Sequence, residues 1–270
     1  MQVFKAITHL KDFKTDGHKP ALVLADNGLK YVVKPCMANG FDYCIYSELL
    51  AHFLLKLWQI QTPEIALIKV EKELLNNSDN AKHYKTDSFK NLFFGSQFIE
   101  NNFELNNFLS FAKKIDYKKI WEPEKLIQLG LFDLWVENDD RKPSNFNILL
   151  DCSTSKFAIV AIDNACIFST LNYSQLNSKE VSQSFNDNLL YSPLVKKVVK
   201  QIKPNSKWIG HQKDLFYLSI KNCGKHFDKI ISDISPFFKL DETDFDCLKS
   251  FLFNEDRNKK VFDDFISRLK

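Results

Sequence analysis

The sequence predicts an α+β protein with two lobes, a small β-rich lobe over residues 1–97 and a larger, mainly helical lobe over residues 98–270. Short apolar runs between turn residues fill the first part of the chain, as expected for an antiparallel sheet. From about residue 101 onward, apolar residues recur at helical spacing instead. A chain of 270 residues is long enough for one large domain or for two lobes around a cleft.

The strands predicted for the small lobe are apolar or loosely alternating runs. The clearest turn signal is Asp26-Asn27-Gly28, which is typical of a hairpin with a type I′ turn. A polar loop is predicted over residues 72–88. The predicted strands are Val3–Leu10, Ala21–Ala25, Leu29–Lys34, Ile65–Val70 and a stretch within Asn91–Glu100.

Two helices stand out. Apolar residues recur every fourth position through Asp42–Ile60, and Thr62-Pro63 is expected to end that helix. Glu124–Asn138 has the same pattern and leads into a polar loop over residues 138–147. The segments predicted after it are strands over 146–150 and 157–162, a polar irregular stretch over 169–188, and helices with loops up to Lys270.

Composition and charge exclude several classes of protein. The chain is 44% hydrophobic and 26% charged, which is ordinary for a soluble globular protein. The net charge is +3, and the densest basic run, Lys196–Lys207, is interpreted as a solvated helix face, so no direct nucleic-acid partner is expected. No stretch approaches the ~18–20 apolar residues of a membrane span, and Met1–Lys5 does not resemble a signal peptide.

The cysteines point to a reducing compartment. The chain has 6 cysteines, which lie far apart and form no CxxC pair. We therefore expect reduced thiols in a cytoplasmic protein without a membrane partner, rather than zinc ligands or disulfides.

The second predicted hairpin brings oxygen-bearing side chains to one end. Residues equidistant from the turn of an antiparallel hairpin face each other. With the turn centred near Thr154, Asn145 and Asp163 are both nine residues from it and are expected side by side. Asp140 lies on a short loop at the same end. Because oxygen ligands suit Mg²⁺, which keeps phosphate or water at its other positions, the sequence predicts a magnesium site here.

The first hairpin predicts a phosphate-binding lysine. Its turn centres at Asn27, so Lys34 is expected opposite Pro20 and beside the loop Thr15–Pro20. Backbone N–H groups of a tight glycine-containing loop and an ammonium group both bind phosphate oxygens.

The helix after this hairpin carries a candidate partner for the lysine. Glu48 is placed to hold Lys34 in position. Glu48, His52 and Lys56 also fit an ordinary exposed polar stripe at i, i+4 spacing. Both interpretations stay open.

The segment Asp140–Leu150 resembles the catalytic loop of protein kinases. An Asp is followed two residues later by a Lys, then by Pro-Ser, by Asn145 and by an apolar strand. Asp163, after Val160-Ala161-Ile162, is similar in position to the metal-binding Asp of the DFG motif. The gap from Asn145 to Asp163 resembles that of HipA-like kinases, as do residues 15–23 and Phe94-Gly95-Ser96. The resemblance extends over about residues 10 to 200.

The resemblance implies a protein-kinase-like fold that uses ATP and Mg²⁺. Asp140 would orient or deprotonate the acceptor hydroxyl, and Lys142 would help to neutralise charge on the transferred group. Asn145 and Asp163 would hold Mg²⁺. The implied nucleotide contacts are Lys34 paired with Glu48, Gly17 and His18 in the phosphate loop, and Gln97, Phe98, Ile99 and Glu100 as the hinge that meets the adenine.

The chain departs from the kinase pattern in several places. No His-Arg precedes Asp140, Asn164-Ala165 follows Asp163 instead of Phe-Gly, and the phosphate loop has a single glycine. These departures are typical of atypical kinases. The chain is also short for the extra N-terminal subdomain through which HipA toxins contact their repressor, so no repressor partner or operator DNA is inferred and an antitoxin partner stays unknown.

Three functions stay open. The favoured one is a serine/threonine protein kinase with a protein acceptor, toxin-like in the manner of the HipA-like family. The second keeps the fold but transfers phosphate to a small molecule such as an aminoglycoside or a sugar. The third is a pseudokinase that binds nucleotide or a partner without transfer. The intact Lys34, Asp140, Asn145 and Asp163 argue against this third function.

Overall fold

The computed structural model of the protein describes residues 1–14, 19–35, 42–106, 116–181 and 188–270. Its mixed α and β architecture is as predicted. The strands are β1 (Val3–Asp12), β2 (Ala21–Ala25), β3 (Lys30–Lys34), β4 (Ile65–Lys69), β5 (Phe93–Gln97), β6 (Asn102–Glu104), β7 (Ile148–Asp151) and β8 (Ala158–Ala161). The α-helices are α1 (Tyr43–Leu57), α2 (Lys125–Val136), α3 (Pro193–Ile202), α4 (Ser206–Ile234), α5 (Glu242–Phe253) and α6 (Glu255–Arg268).

The five N-terminal strands form a sheet that closes on itself in the order β1-β2-β3-β5-β4. Strand β1 closes it by pairing antiparallel with β2 and parallel with β4. Because side chains alternate across each strand, one set points inward and fills the interior. This core comprises Ala6, Ala21, Val23, Ala25, Tyr31, Val33, Ala66, Ile68, Val70, Leu75, Tyr84 and Phe93.

The first hairpin has the predicted register but a different turn. Strands β2 and β3 pair Ala21 with Val33, as expected for the predicted turn centre. The N–H of Ala25 donates to Leu29 O, the N–H of Gly28 donates to Ala25 O, and only Gly28 within the turn has a positive φ, +80°. A type I′ turn needs positive φ at two residues, so that prediction was wrong. The loop is a three-residue turn that ends in a glycine bulge.

Helix α1 confirms the long predicted helix and ends three residues early. The Asp42 side chain caps its first turn by accepting a hydrogen bond from the Ile45 N–H at 3.1 Å. Most of its residues are buried, because the helix lies between the closed sheet and the C-terminal helices. Trp58, just past its end, stacks on Trp135 of α2 with ring centroids 5.3 Å apart and meets Phe216 of α4 edge-on.

A second sheet has the order β6-β7-β8. Strands β7 and β8 form the predicted hairpin and pair Ile148 with Ala161. This register centres the turn half a residue beyond Thr154, because the connecting loop has an even number of residues. The last ladder hydrogen bond runs from Ile162 N–H to Asn147 O at 3.0 Å. Asn145 therefore does not lie directly across from Asp163, and the predicted register was wrong.

The C-terminal helices share one large core with α1 and α2. Helix α3 buries Leu194, Val195 and Val198 and leaves its lysines exposed, as the solvated-face interpretation requires. The predicted loop over residues 72–88 contains short 3₁₀ helices. Division of the chain into two lobes at residue 97 stays a prediction.

Two further expectations concern cysteines and membranes. Cys44, Cys152, Cys166, Cys223 and Cys247 are free thiols, and Cys36 lies outside the described residues. Across the part of the chain that the structure describes, no helix combines the length and apolar character that a membrane crossing requires.

Gly95 in β5 lies where a side chain has no room. An added Cβ would meet Ile68 Cγ1 at 2.5 Å and Ala66 O at 3.1 Å. We predict that Gly95→Ala lowers the free energy of unfolding by about 1–3 kcal/mol, measured by urea denaturation.

The matched control is Gly210→Ala in α4, where nothing lies within 4 Å of the added carbon. This substitution is expected to raise the free energy of unfolding by up to ~1 kcal/mol, since glycine disfavours helix interiors. Wild-type stability in Gly95→Ala would contradict the close packing of β4 against β5.

Candidate active site

Lys34 at the end of β3 connects two carboxylates. Its Nζ lies 2.5 Å from Glu48 Oε1 and 2.7 Å from Asp163 Oδ1. The predicted contact between Lys34 and Glu48 is therefore present. The exposed-stripe alternative was wrong for Glu48 and His52, each only 4% exposed, and holds only for Lys56.

The lysine is held in its charged form. Burial alone would lower the pKa of Lys34, but the carboxylates of Glu48 and Asp163 outweigh burial and raise that pKa above its ordinary value. The other oxygen of Glu48 accepts a hydrogen bond from the Asn164 N–H at 2.9 Å. Glu48 thus fixes both the ammonium group and the backbone next to Asp163.

Arg141 binds the residues on either side of Asp163, through the backbone carbonyl of Ile162 and the side chain of Asn164. It is fully buried, and its Nη2 donates to Ile162 O at 2.9 Å and to Asn164 Oδ1 at 2.7 Å. Asp163 itself has a positive φ of +51°, which a non-glycine residue adopts only when its surroundings enforce it. We attribute that enforcement to the contacts made by Arg141 and Glu48.

Asp133 of α2 forms a buried ion pair with Arg141. Its Oδ1 lies 2.5 Å from Arg141 Nη1, and both side chains are fully buried. Burial raises the pKa of Asp133 to about 6, against the opposing pull of the arginine. Neither residue was predicted from the sequence to belong to the site. The sequence did hold a signal for this pair, an acidic residue within the apolar stripe of α2, because a buried carboxylate needs a hydrogen-bonded or charged partner.

The loop that carries Asp140 is fixed by asparagines. The Asn138 side chain donates to Asp133 Oδ1 at 3.3 Å and accepts from the Asp140 N–H at 3.2 Å. Asn147 Nδ2 donates to Asp140 Oδ2 at 2.8 Å. The Asp140 carboxylate is half-buried and oriented by this bond. Asn147, which was not predicted from the sequence, therefore orients the side chain that is expected to orient or deprotonate the acceptor hydroxyl.

Asn145 and Lys142 form a tight turn within this loop. Each backbone N–H donates to the other residue's carbonyl at 2.9 Å. Both side chains are half-buried. The turn places Asn145 beyond the ladder of β7 and β8, on the loop that carries Asp140.

Cys166 connects the loop that carries Asp140 to the segment after Asp163. Burial, together with the carboxylates of Asp140 and Asp163, raises the pKa of the Cys166 thiol to about 12. The O of Cys166 also accepts from the Asp139 N–H, which joins the two loops.

A cleft lies beside Lys34 and Asp163, with about 980 Å³ of empty space including its open mouth. Lys34, Glu48 and Asp163 form its polar end, whereas Asp140, Lys142 and Asn145 are not among the residues that line it. The remaining walls are Phe13, Pro20, Val32, His52, Thr62, Pro63, Ile65, Phe94, Ser96, Gln97, Phe98, Ile99, Asn102, Glu104, Leu149, Ile162 and Asn164.

The residues expected to bind nucleotide are placed unequally. Gln97, Phe98 and Ile99 line the cleft, whereas the Glu100 carboxylate pairs with Lys30 at 2.7 Å. The N–H groups of Gln97 and Phe98 already donate to carbonyls of the sheet. Gly17 and His18 lie outside the described residues.

The donor set suits a magnesium ion that arrives with phosphate. Asp163, with 42% of its side chain exposed, and Asp140 offer carboxylate oxygens. Within the described ranges, no three His, Cys, Asp or Glu side chains form a complete metal cage. Mg²⁺ typically binds one or two protein carboxylates and takes its other oxygens from substrate, and the partly exposed Asp163 carboxylate fits that role.

A lysine that links a helix glutamate to an aspartate at the polar end of a cleft is the arrangement of a kinase nucleotide site. The sequence profile of the HipA-like kinases matches residues 10–207, and the chain belongs to that family.

Two solved structures are similar to this chain. The Helicobacter pylori proinflammatory kinase CtkA matches with a TM-score of 0.51 and 14% identity, over 100% of this chain and 97% of its own. At this identity the likeness to CtkA concerns the fold alone. HipA from the Shewanella oneidensis MR-1 HipA, HipB and operator DNA complex matches with a TM-score of 0.39 and 10% identity, over 97% of this chain and 62% of its own. A comparison with curated proteins finds no significant match.

The cleft residue His52 predicts an acid-sensitive stability. Burial, with Lys56 nearby, lowers the pKa of His52 to about 4. The unfolded chain, with a histidine pKa of about 6.5, therefore binds more protons between pH 6.5 and 4, and stability falls as the pH drops through that window. At pH 5 the loss attributable to His52 is about 2 kcal/mol.

Urea unfolding at pH 7 and pH 5 measures this loss. His52→Gln is expected to shrink the drop in unfolding free energy by about 2 kcal/mol. The control is His226→Gln at an exposed position, which is expected to leave the decrease in unfolding free energy between pH 7 and pH 5 unchanged. The same pH dependence in wild type and His52→Gln would contradict the prediction.

Proposed function

We propose that the protein is a kinase that transfers the γ-phosphate of ATP to a hydroxyl group, with Mg²⁺ as its metal. The observation that carries the proposal is Lys34, which joins Glu48 and Asp163 at the polar end of the cleft. Membership of the HipA-like kinase family supports it. In this proposal residues 1–97 and 98–270 act as the two lobes on either side of the nucleotide.

The cleft residues suit the two ends of a nucleotide. Apolar side chains such as Val32, Ile65 and Leu149 offer surfaces for a flat base. Lys34 offers an ammonium group for the phosphates at the opposite, polar end. Phe13 and Pro20, on the two sides of the predicted phosphate loop, also line the cleft.

The charges at the polar end favour a cation. One ammonium group between two carboxylates leaves an excess negative charge of one, since Lys34 faces Glu48 and Asp163. Asp163 and Asn145 are the residues proposed to hold Mg²⁺, which would neutralise charge on the phosphates. Because Asp163 contacts Lys34 and is also proposed to hold the metal, nucleotide and metal are expected to bind cooperatively.

Asp140 is the proposed residue that receives or orients the acceptor hydroxyl. Its carboxylate is held by Asn147 and remains half-buried at the edge of the loop. Lys142, two residues on, is proposed to stabilise charge on the transferred group. Phosphoryl transfer depends mostly on such positioning and electrostatics, which few side chains supply.

We propose a serine or threonine of a protein as the acceptor. The support is the family resemblance, together with the relative described as a proinflammatory kinase. Transfer to a small molecule would use the same cleft and the same residues. Phosphoproteomics of cells that express wild type or the Asp140→Ala variant separates these two acceptors.

Asp140→Ala is predicted to lower phosphoryl transfer by about 100-fold or more while ATP still binds, because it removes the group that handles the acceptor proton. Transfer is measured with labelled ATP, and binding by calorimetry. Asp151→Ala, at the opposite end of the same hairpin, is the control and should retain activity. Near wild-type turnover in Asp140→Ala would remove Asp140 from this role.

Asp163→Ala is predicted to abolish the magnesium-dependent part of the thermal stabilisation by ATP. The physical reason is the loss of the carboxylate proposed to hold the metal, since a ligand stabilises only what binds it. Melting curves with ATP plus Mg²⁺ and with ATP plus EDTA separate the two contributions. An undiminished magnesium effect in the variant would assign the metal to other ligands.

A further inference from the structure

A buried arginine from the last helix reaches the back of the active site. Arg257 lies on α6, beyond residue 207 where the family match ends. Its side chain is fully buried. The guanidinium carbon lies 3.5 Å from the centroid of the Phe251 ring, so the group is stacked as well as enclosed.

The guanidinium group donates to several segments at once. Its Nη2 lies 3.1 Å from Glu137 Oε1, and its Nη1 lies 3.0 Å from Trp135 O. Its Nε donates to Glu180 O at 3.2 Å. Arg257 therefore joins the end of α2 to the segment that follows Asp163 in the chain.

Glu137 connects Arg257 to the loop that carries Asp140. It is buried, has a positive φ of +49°, and ends α2 three residues before Asp140. Its Oε2 accepts from Ser169 Oγ at 3.2 Å, and its carbonyl accepts from the Ser169 N–H at 2.9 Å. Ser169, six residues after Asp163, also has a positive φ, +52°.

The two positive φ values indicate that this junction is held by its surroundings. Residues other than glycine persist in that region only where other contacts over-determine them. Breaking a buried ion pair by removing one member is strongly destabilising, so the Glu137 carboxylate is expected to shift when Arg257 is replaced. That shift would move the start of the Asp140 loop.

We propose that Arg257 is a positioning residue that acts through Glu137 to fix the Asp140 loop against the segment that follows Asp163. Helix α6 thereby sets the rate of phosphoryl transfer without touching nucleotide. The inference rests on the proposed kinase function for its effect on rate, and on the contacts alone for its effect on structure.

The test compares Arg257→Met and Arg257→Lys with Phe262→Leu, a buried change on the same helix that leaves the arginine in place. Arg257→Met is expected to lower kcat by about 10-fold or more with little change in KM for ATP, as supporting residues around a site typically do. Arg257→Lys keeps a positive charge beside Glu137 but loses the several donors of the guanidinium group. Its kcat is expected to lie between those of wild type and Arg257→Met. All assays run below the melting transition of each variant.

Hydrogen exchange gives a readout that does not depend on activity. Arg257→Met is expected to speed amide exchange at residues 137–140 and 167–170, and Phe262→Leu is not. If Arg257→Met fails to fold, the same comparison is made with Arg257→Lys.

The outcomes separate the two proposals. If wild type transfers no phosphate, the proposed function fails and hydrogen exchange alone decides the role of Arg257. If wild type is active, a kcat for the Arg257 variants equal to that of Phe262→Leu would overturn the positioning role. Unchanged exchange at residues 137–140 would overturn it in either case.

Discussion

The site depends on one buried ammonium group between two carboxylates. Lys34 comes from the closed sheet, Glu48 from helix α1 and Asp163 from the end of β8, so three separate elements meet at one nitrogen. Enclosing these charges costs solvation, which is offset only while the contacts remain short. The sheet, the helix and the hairpin are therefore held in a fixed relation by the same group that is proposed to meet phosphate.

Two buried arginines stabilise the segments around this contact. Arg141 binds the Ile162 carbonyl and the Asn164 side chain on either side of Asp163, and Arg257 binds Glu137, the residue that precedes the Asp140 loop. Both arginines donate to carbonyls as well as to a carboxylate, so their geometry is set by the main chain. In this arrangement Lys34 and Asp163 line the cleft, while buried arginines hold the backbone next to Asp163 and the start of the Asp140 loop.

The sequence predicted the elements better than their details. Periodicity and turn residues located helices α1 and α2 and every described strand except β6, which lies where helical spacing was expected. Symmetry about Asn27 gave the correct register for the hairpin that ends at Lys34. Local patterns did not distinguish the three-residue turn of the first hairpin from a type I′ turn. In the second hairpin they placed the centre of the turn half a residue away from its observed position. The roles of Arg141, Glu137 and Arg257 were out of reach, because their partners lie far along the chain and only the tertiary fold brings them together.

The central claim is that Lys34, held by Glu48 and Asp163, binds the phosphates of a nucleotide. Calorimetric titration of wild type and Lys34→Met with MgATP and with adenosine tests it most directly. The account predicts that Lys34→Met weakens MgATP binding by about tenfold or more, since a hydrogen bond to a charged group is lost, and leaves adenosine binding unchanged. Equal MgATP affinity in the two proteins would contradict it.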